Sequence, residues 1–283
     1  MKVIVADKCG FCPGVKNAIC IAEKILEDRQ KVYSLGPIIH NRDEVERLAK
    51  KGLKTVNNID EISSVRNKSD SGTVLIRSHG AAPNQIAELK ERGLDIVDAT
   101  CVLVKKVQQI AKKLENDGYK VVVIGDESHP EVQAVKSCAE DVIVIANESD
   151  LYKLFKDSRL GIVCQTTQSP EYFGGMLGSI AKQAFSELKV VNTLCKEAIK
   201  RQESAVQLCR QVDIMFVLGG LESANTRKLA ELCKKYNSQT FHLQNWSEFD
   251  KNVFSGKNIA GITAEASTPE WIIAEFVENL RAF

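Results

Sequence analysis

The chain has 283 residues, 44% of them hydrophobic and 27% charged, with a net charge of +1 at pH 7. That length allows one large core or two to three small ones, and the composition is that of an ordinary globular protein. Near-neutral charge gives no electrostatic basis for binding nucleic acid or an anionic membrane. With no signal-peptide core and no apolar run of membrane-spanning length, the expected location is the cytoplasm.

The chain opens with a predicted strand, 2-KVIVA-6, a cysteine-bearing loop, and a pattern of helical spacing, 12-CPGVKNAICIAEKI-25. A strand ending in glycine follows, VYSLG at Gly36, and His40 stands four residues beyond it. Next come an Asn-led helix opening, NNIDEI, and a strand that runs into a loop closed by proline, 73-TVLIRSHGAAP-83. The same order then recurs. The stretch 95-DIVDATCVLVKKVQQIAKKL-114 leads to VVVIG at Gly125, His129, NESDLYKLF and 160-LGIVCQTTQSP-170. A third copy runs from 189-KVVNTLCKEAIKRQESAVQLC-209 through MFVLG at Gly219, Ser223 and NWSEF to 259-IAGITAEASTP-269.

The cysteines that start the copies are Cys12, Cys101 and Cys195, spaced by 89 and 94 positions, and in each copy the strand-ending glycine lies 24 positions further on. A fixed offset in three copies, with the elements in the same order, predicts three α/β repeats, at 1–94, 95–188 and 189–283. In such units the loops at the carboxyl ends of the strands form the functional edge. Pseudo-threefold packing would bring the three edges, and with them the three cysteines, to one central point. Each cysteine would stand near a helix N-terminus, where partial positive charge favours a thiolate or an anionic metal centre.

Nine cysteines in a long chain from a reducing compartment point away from disulfides and towards free thiols or metal ligands. Cys9, Cys20, Cys138, Cys164, Cys209 and Cys233 have no counterparts in the other copies and read as packing residues, although Cys9 lies close to Cys12. Three cysteine ligands suit either a catalytic zinc with one open position or an iron–sulfur cluster with one iron left free. The cluster is the easier to hold from three separate repeats. Of the four histidines, His40, His79 and His129 fall in the predicted loops, whereas His242 falls within a strand and reads as packing. Glu131, two residues past His129, could deliver a proton if burial raises its pKa. No GxGxxG, P-loop or HExxH motif is present.

The motifs GFCPGV, IIHNRDEV, RSHGA, DATC, HPEV and QTTQSP, in this order, resemble those of the 4-hydroxy-3-methylbut-2-enyl diphosphate reductases, the LytB/IspH family, over essentially the whole chain. The resemblance implies three α/β repeats around a [4Fe-4S] cluster held by Cys12, Cys101 and Cys195, with one iron open. It implies reductive removal of an allylic hydroxyl in isoprene biosynthesis, giving isopentenyl and dimethylallyl diphosphates. His40, His79, His129, Ser223, Asn225 and Ser267 would hold the diphosphate, Glu131 would supply a proton, and Thr166 would orient the hydroxyl relay. A ferredoxin or flavodoxin would donate the electrons.

The third repeat departs from the family pattern. Glu197 and Ala198 replace an alanine and a threonine, Glu222 and Ala224 stand where Asn and Ser are usual, and Glu265 replaces a glycine. Val102 takes the place of a usual proline. A carboxylate ~6 Å from a phosphate charge, at an effective dielectric of ~20, costs roughly 2–3 kcal/mol before screening. If Glu222 and Glu265 face the ligand, the alternative is a divergent reductase of the same fold acting on a non-diphosphate substrate. A third reading, from another class, is a non-enzymatic iron–sulfur electron carrier, which would have no use for the loop histidines.

Overall fold

A computed structural model describes residues 2–62, 72–155, 158–250, 253 and 256–282. The apolar runs read from the sequence form parallel strands, and among the described residues these make three four-stranded sheets. The first sheet has the order β3 (Leu53–Val56), β2 (Val32–Leu35), β4 (Thr73–Ile76), β5 (Asp95–Asp98). The second has the order β7 (Ile143–Ile145), β6 (Lys120–Ile124), β8 (Arg159–Cys164), β9 (Glu187–Val190). The third has the order β11 (Thr240–Leu243), β10 (Ile214–Leu218), β12 (Ile259–Ala264), β1 (Lys2–Val5). All neighbours are parallel, with Val74 opposite Ile96, Val122 opposite Ile162 and Ile4 opposite Gly261. Central strands of such sheets are covered on both faces, which is why β6 and β10 read as continuous apolar runs.

Sheets and repeats are offset by one strand. The last strand of the first sheet, Asp95–Asp98, opens the second repeat, and Glu187–Val190 leads into the third. The third sheet is completed from the other end of the chain, where Lys2 pairs with Ile259.

The chain forms two compact units, one of residues 1–19, 39–51 and 196–283, the other of 20–38 and 52–195. Helix α1 (Pro13–Asp28) belongs to the first as far as Ile19 and to the second from Cys20. The first unit holds the third sheet, with α2 (Arg42–Lys50), α7 (Lys196–Cys209), α8 (Ala224–Tyr236) and α9 (Glu270–Ala282). Its core centres on Phe216 of β10, ringed by Phe241, Phe249 and Phe276 at centroid distances of 6.1, 5.8 and 5.2 Å. Helix α2 is tied to α9 through Glu44, which is buried and accepts the Arg47 guanidinium at 2.6 and 2.9 Å and the Trp271 indole N–H at 3.0 Å. Gly10, on the loop before α1, has φ of +77°, and a Cβ there would lie 2.7 Å from Ile273. Only glycine lets this loop take its left-handed turn against α9.

The second unit holds the other two sheets, with α3 (Pro83–Glu91), α4 (Val102–Asn116), α5 (Pro130–Lys136) and α6 (Pro170–Ala181). Pro83, Pro130 and Pro170 each begin a helix, where the missing N–H costs no hydrogen bond. The Asn-led openings form short 3-10 helices of three to six residues rather than α-helices. Asn58, Asn147 and Asn245 precede those at 59–61, 148–153 and 246–248. Among the described residues no helix is long and apolar enough to cross a membrane.

Candidate functional site

In the second unit a continuous series of contacts links six of the residues singled out by the sequence. Cys101 directly precedes α4, and its N–H donates to the carbonyl of Ser78 (3.0 Å). The next residue, His79, meets the ring of His129 edge-on, with centroids 5.6 Å apart and planes at 83°. His129 is the N-cap of α5, and its Nδ1 accepts the N–H of Glu131 (3.2 Å). In a neutral ring this places the proton on Nε2. Glu131 is buried and takes both donors of Thr166, with Oε1 receiving the N–H (2.7 Å) and Oε2 the hydroxyl (2.8 Å). The carbonyl of Thr166 in turn accepts the N–H of Cys195 (2.8 Å), immediately before α7.

Burial pushes the Glu131 carboxyl above its usual range, and the two bonds from Thr166 only partly oppose that. A buried acid with a raised pKa beside a hydroxyl can retain a proton at neutral pH and pass it through that hydroxyl. Val102, the first residue of α4, is 77% exposed, so the loss of the usual proline affects only the helix start.

In the first unit Cys12 directly precedes α1 and points back into its first turn, where its Sγ accepts the N–H of Val15 (3.5 Å). Burial raises the Cys12 thiol; Val15 N–H opposes this, Glu265 adds to it, and the Arg201 cation works against it. Arg201 is buried on α7 and donates to the carbonyl of Gly10 (2.6 Å), tying the helix to the cysteine loop. Cys9, packed among apolar side chains, is pushed up to about 12 by burial.

The other predicted residues of this unit lie on the loops at the carboxyl ends of β10 and β12, in the first turn of α8 (Asn225) and on the segment before α2. Ser223 is buried as the N-cap of α8 and accepts the N–H of Thr226 (3.3 Å). The Oδ1 of Asn225 has no hydrogen-bond partner among the described residues. The hydroxyl of Ser267 lies 3.4 Å from the carbonyl of His40. That carbonyl also packs on Gly220, where a Cβ would come within 2.8 Å of it. His242 lies in β11, as its strand pattern predicts, and its Nε2 is 3.0 Å from the carbonyl of Gly219.

The third-repeat carboxylates are placed differently from one another. Glu222 is exposed. Glu197 pairs with Lys8 (3.5 Å) and Lys200 (3.8 Å). Glu265 is buried and bonded to Ser267. Two residues of this unit carried too little sequence signal to be singled out. Arg201 looks like any helical arginine, although its anchoring of Gly10 is buried. Asn41 caps α2 through Oδ1, which accepts the N–H of Glu44 (3.1 Å), and its buried Nδ2 has no hydrogen-bond partner among the described residues. An Asn before Arg-Asp-Glu is a helix-start pattern and could have flagged it.

Cys12, Cys101 and Cys195 fit an iron–sulfur centre by their chemistry. All are free and half-buried, and each immediately precedes a helix of 14 to 16 residues whose N-terminal amides favour a thiolate.

Comparison with known proteins agrees over the whole length. The LytB protein family model matches residues 3–281. The chain is 44% identical over 281 residues to the 4-hydroxy-3-methylbut-2-enyl diphosphate reductase of Pelobacter propionicus, covering 99% of this chain and 98% of that one. It is 40% identical over 287 residues to the protein of the same name from Geobacter sulfurreducens, with 100% and 98% covered. A solved structure of (E)-4-hydroxy-3-methyl-but-2-enyl diphosphate reductase, described as the terminal enzyme of the non-mevalonate pathway, is 39% identical, with a TM-score of 0.74 and 100% of both chains covered. The structure of E-1-hydroxy-2-methyl-but-2-enyl-4-diphosphate reductase from Plasmodium falciparum shares the fold at a TM-score of 0.90 and 24% identity, covering 99% of this chain and 87% of that one. Matched nearly end to end, with the repeated cysteines each set at a helix start, the chain belongs to the LytB protein family.

Proposed function

We propose that this protein is an iron–sulfur oxidoreductase that converts 4-hydroxy-3-methylbut-2-enyl diphosphate to isopentenyl and dimethylallyl diphosphates, a step of isoprene biosynthesis. The observation that carries the reading is the buried Glu131–Thr166 pair bonded directly to Cys195, in a chain of this family. The reaction takes up two electrons and two protons, breaks the allylic C–O bond and releases water.

Cys12, Cys101 and Cys195 would hold the cluster, a [4Fe-4S] centre with one open iron. Bound there, the cluster supplies the electrons and a Lewis-acid position for the substrate hydroxyl. When Glu131 carries a proton on Oε2, that O–H would donate to the Thr166 oxygen, and the Thr166 hydroxyl would pass its own proton on to the leaving oxygen. His129 presents Nε2–H as a donor because Nδ1 is engaged by the Glu131 N–H. With His40, His79, Ser223, Asn225 and Ser267 it would bind the diphosphate. The histidines supply donors, while Ser223 and Asn225 sit at the start of α8, where the helix dipole favours an anion.

The divergent-substrate alternative loses much of its basis in the first unit. Glu222 is exposed and Glu197 is paired with lysines. Relatives about 40% identical over the full chain carry the diphosphate reductase name. The electrons would come from a ferredoxin or flavodoxin. All nine cysteines are free, which suits the reducing cytoplasm. Formation of the two isomeric products from 4-hydroxy-3-methylbut-2-enyl diphosphate by the reconstituted protein tests the reading; a carrier without catalytic function would consume none.

A further inference from the structure

Glu265 lies on the loop between β12 and α9, 8% exposed, with its backbone fixed at both ends. Its N–H donates to the Leu218 carbonyl (3.2 Å), and its own carbonyl accepts the N–H of Thr268 (3.0 Å). The side chain is therefore aimed by a rigid turn. One carboxylate oxygen, Oε2, accepts both the N–H and the hydroxyl of Ser267, each at 2.8 Å. These are the two donors that Ser267 can offer to any anion, and both already serve a carboxylate. Among the described residues no lysine or arginine forms an ion pair with Glu265. In the same unit the buried Nδ2 of Asn41 and the Oδ1 of Asn225 have no hydrogen-bond partner among the described residues. An anion arriving at Ser267 would meet a carboxylate already holding both of its donors.

We propose that Glu265 is an internal competitor for the diphosphate. Its carboxylate occupies Ser267 when no ligand is bound, and a phosphate oxygen takes those donors from it on binding. The inference rests on Ser267 being a diphosphate residue, as argued under the proposed function. Glu265 thereby weakens binding of every diphosphate ligand, substrate and product alike, and speeds product release. The opposition acts on the anionic end of the ligand and leaves the chemistry at the allylic end unchanged.

The test is calorimetric titration of inorganic pyrophosphate into anaerobically reconstituted wild type, E265Q, E265A, S267A and the double variant E265Q/S267A. Removing the charge while keeping the size should tighten pyrophosphate binding about tenfold in E265Q, with E265A changing in the same direction. In the S267A background the same substitution should gain less than about threefold, because the contested donor is gone. Pyrophosphate affinity in E265Q within about twofold of wild type overturns the proposal, as does an undiminished gain without Ser267. Turnover of 4-hydroxy-3-methylbut-2-enyl diphosphate, measured on the same samples, separates this inference from the reading beneath it. Turnover in wild type with unchanged pyrophosphate affinity in E265Q overturns the competitor alone. Tighter pyrophosphate binding in E265Q that depends on Ser267, without turnover in any variant, supports the competitor and overturns the assigned reaction.

Discussion

The carboxylate of Glu131 and the hydroxyl of Thr166 are 2.8 Å apart, and the N–H of Thr166 closes a second bond to the same carboxylate at 2.7 Å. This two-point contact orients the acid against the hydroxyl. Replacing Glu131 by Gln keeps the size and loses the transferable proton. E131Q should lower kcat by about 10²–10⁴-fold while leaving pyrophosphate affinity near that of wild type. Steady-state kinetics on cluster-replete protein checks this, and a fall in affinity alone would assign Glu131 to binding instead.

The same residue makes a stability prediction. Its folded-state pKa is raised by burial, so on the way up in pH the unfolded chain loses this proton first. Stability then falls as pH rises through the interval between the unfolded and folded values. E131Q cannot titrate and should therefore gain stability relative to wild type between acidic and neutral pH. Urea unfolding of the two proteins at pH 4.5 and 8 reads the difference, and a gap that shrinks on raising the pH contradicts it.

His129 combines a structural role with a proposed binding role. Its Nδ1 caps α5, a task that Asn also performs well, whereas Ala cannot. H129A should cost about 1 kcal/mol of stability and H129N only a few tenths, while both weaken diphosphate binding. Thermal unfolding beside pyrophosphate titration separates the two roles; equal loss of stability in both variants would remove the cap from the account.

Arg201 holds the loop that carries Cys12 through its bond to the Gly10 carbonyl (2.6 Å). R201M removes a buried, charge-assisted hydrogen bond and should destabilise the protein by about 1.5–3 kcal/mol. Chemical denaturation measures it, and a neutral result would mean that the loop is held by its left-handed turn at Gly10 and by the bond from the Gly10 N–H to the Ala264 carbonyl (3.3 Å).

Much of this was legible in the sequence because the repeat exposes it. Gly36, Gly125 and Gly219 each stand just past a central strand, and Cys12, Cys101 and Cys195 each stand just before a helix, so one offset locates three loops. The strand exchange was less visible. Nothing near Lys2 announces pairing with Ile259, because parallel pairing between distant segments leaves no local signal. Glu265 shows the same limit for the site. As a substitution in a loop it could be read as facing either the ligand or the solvent. The fold adopts a third arrangement, with the carboxylate turned onto Ser267 two residues along. Arg201 stayed hidden because a helical arginine is ordinarily solvated, and its burial depends on the Gly10 turn packed against it.

The most direct test is reductant-driven turnover of 4-hydroxy-3-methylbut-2-enyl diphosphate by anaerobically reconstituted protein of measured iron and sulfide content. The same assay is run on C12S, C101S and C195S. The account predicts formation of both isopentenyl and dimethylallyl diphosphate by wild type and loss of cluster and activity in each cysteine variant. Wild type with a full cluster and no product, or a cysteine variant that retains both cluster and turnover, would contradict it.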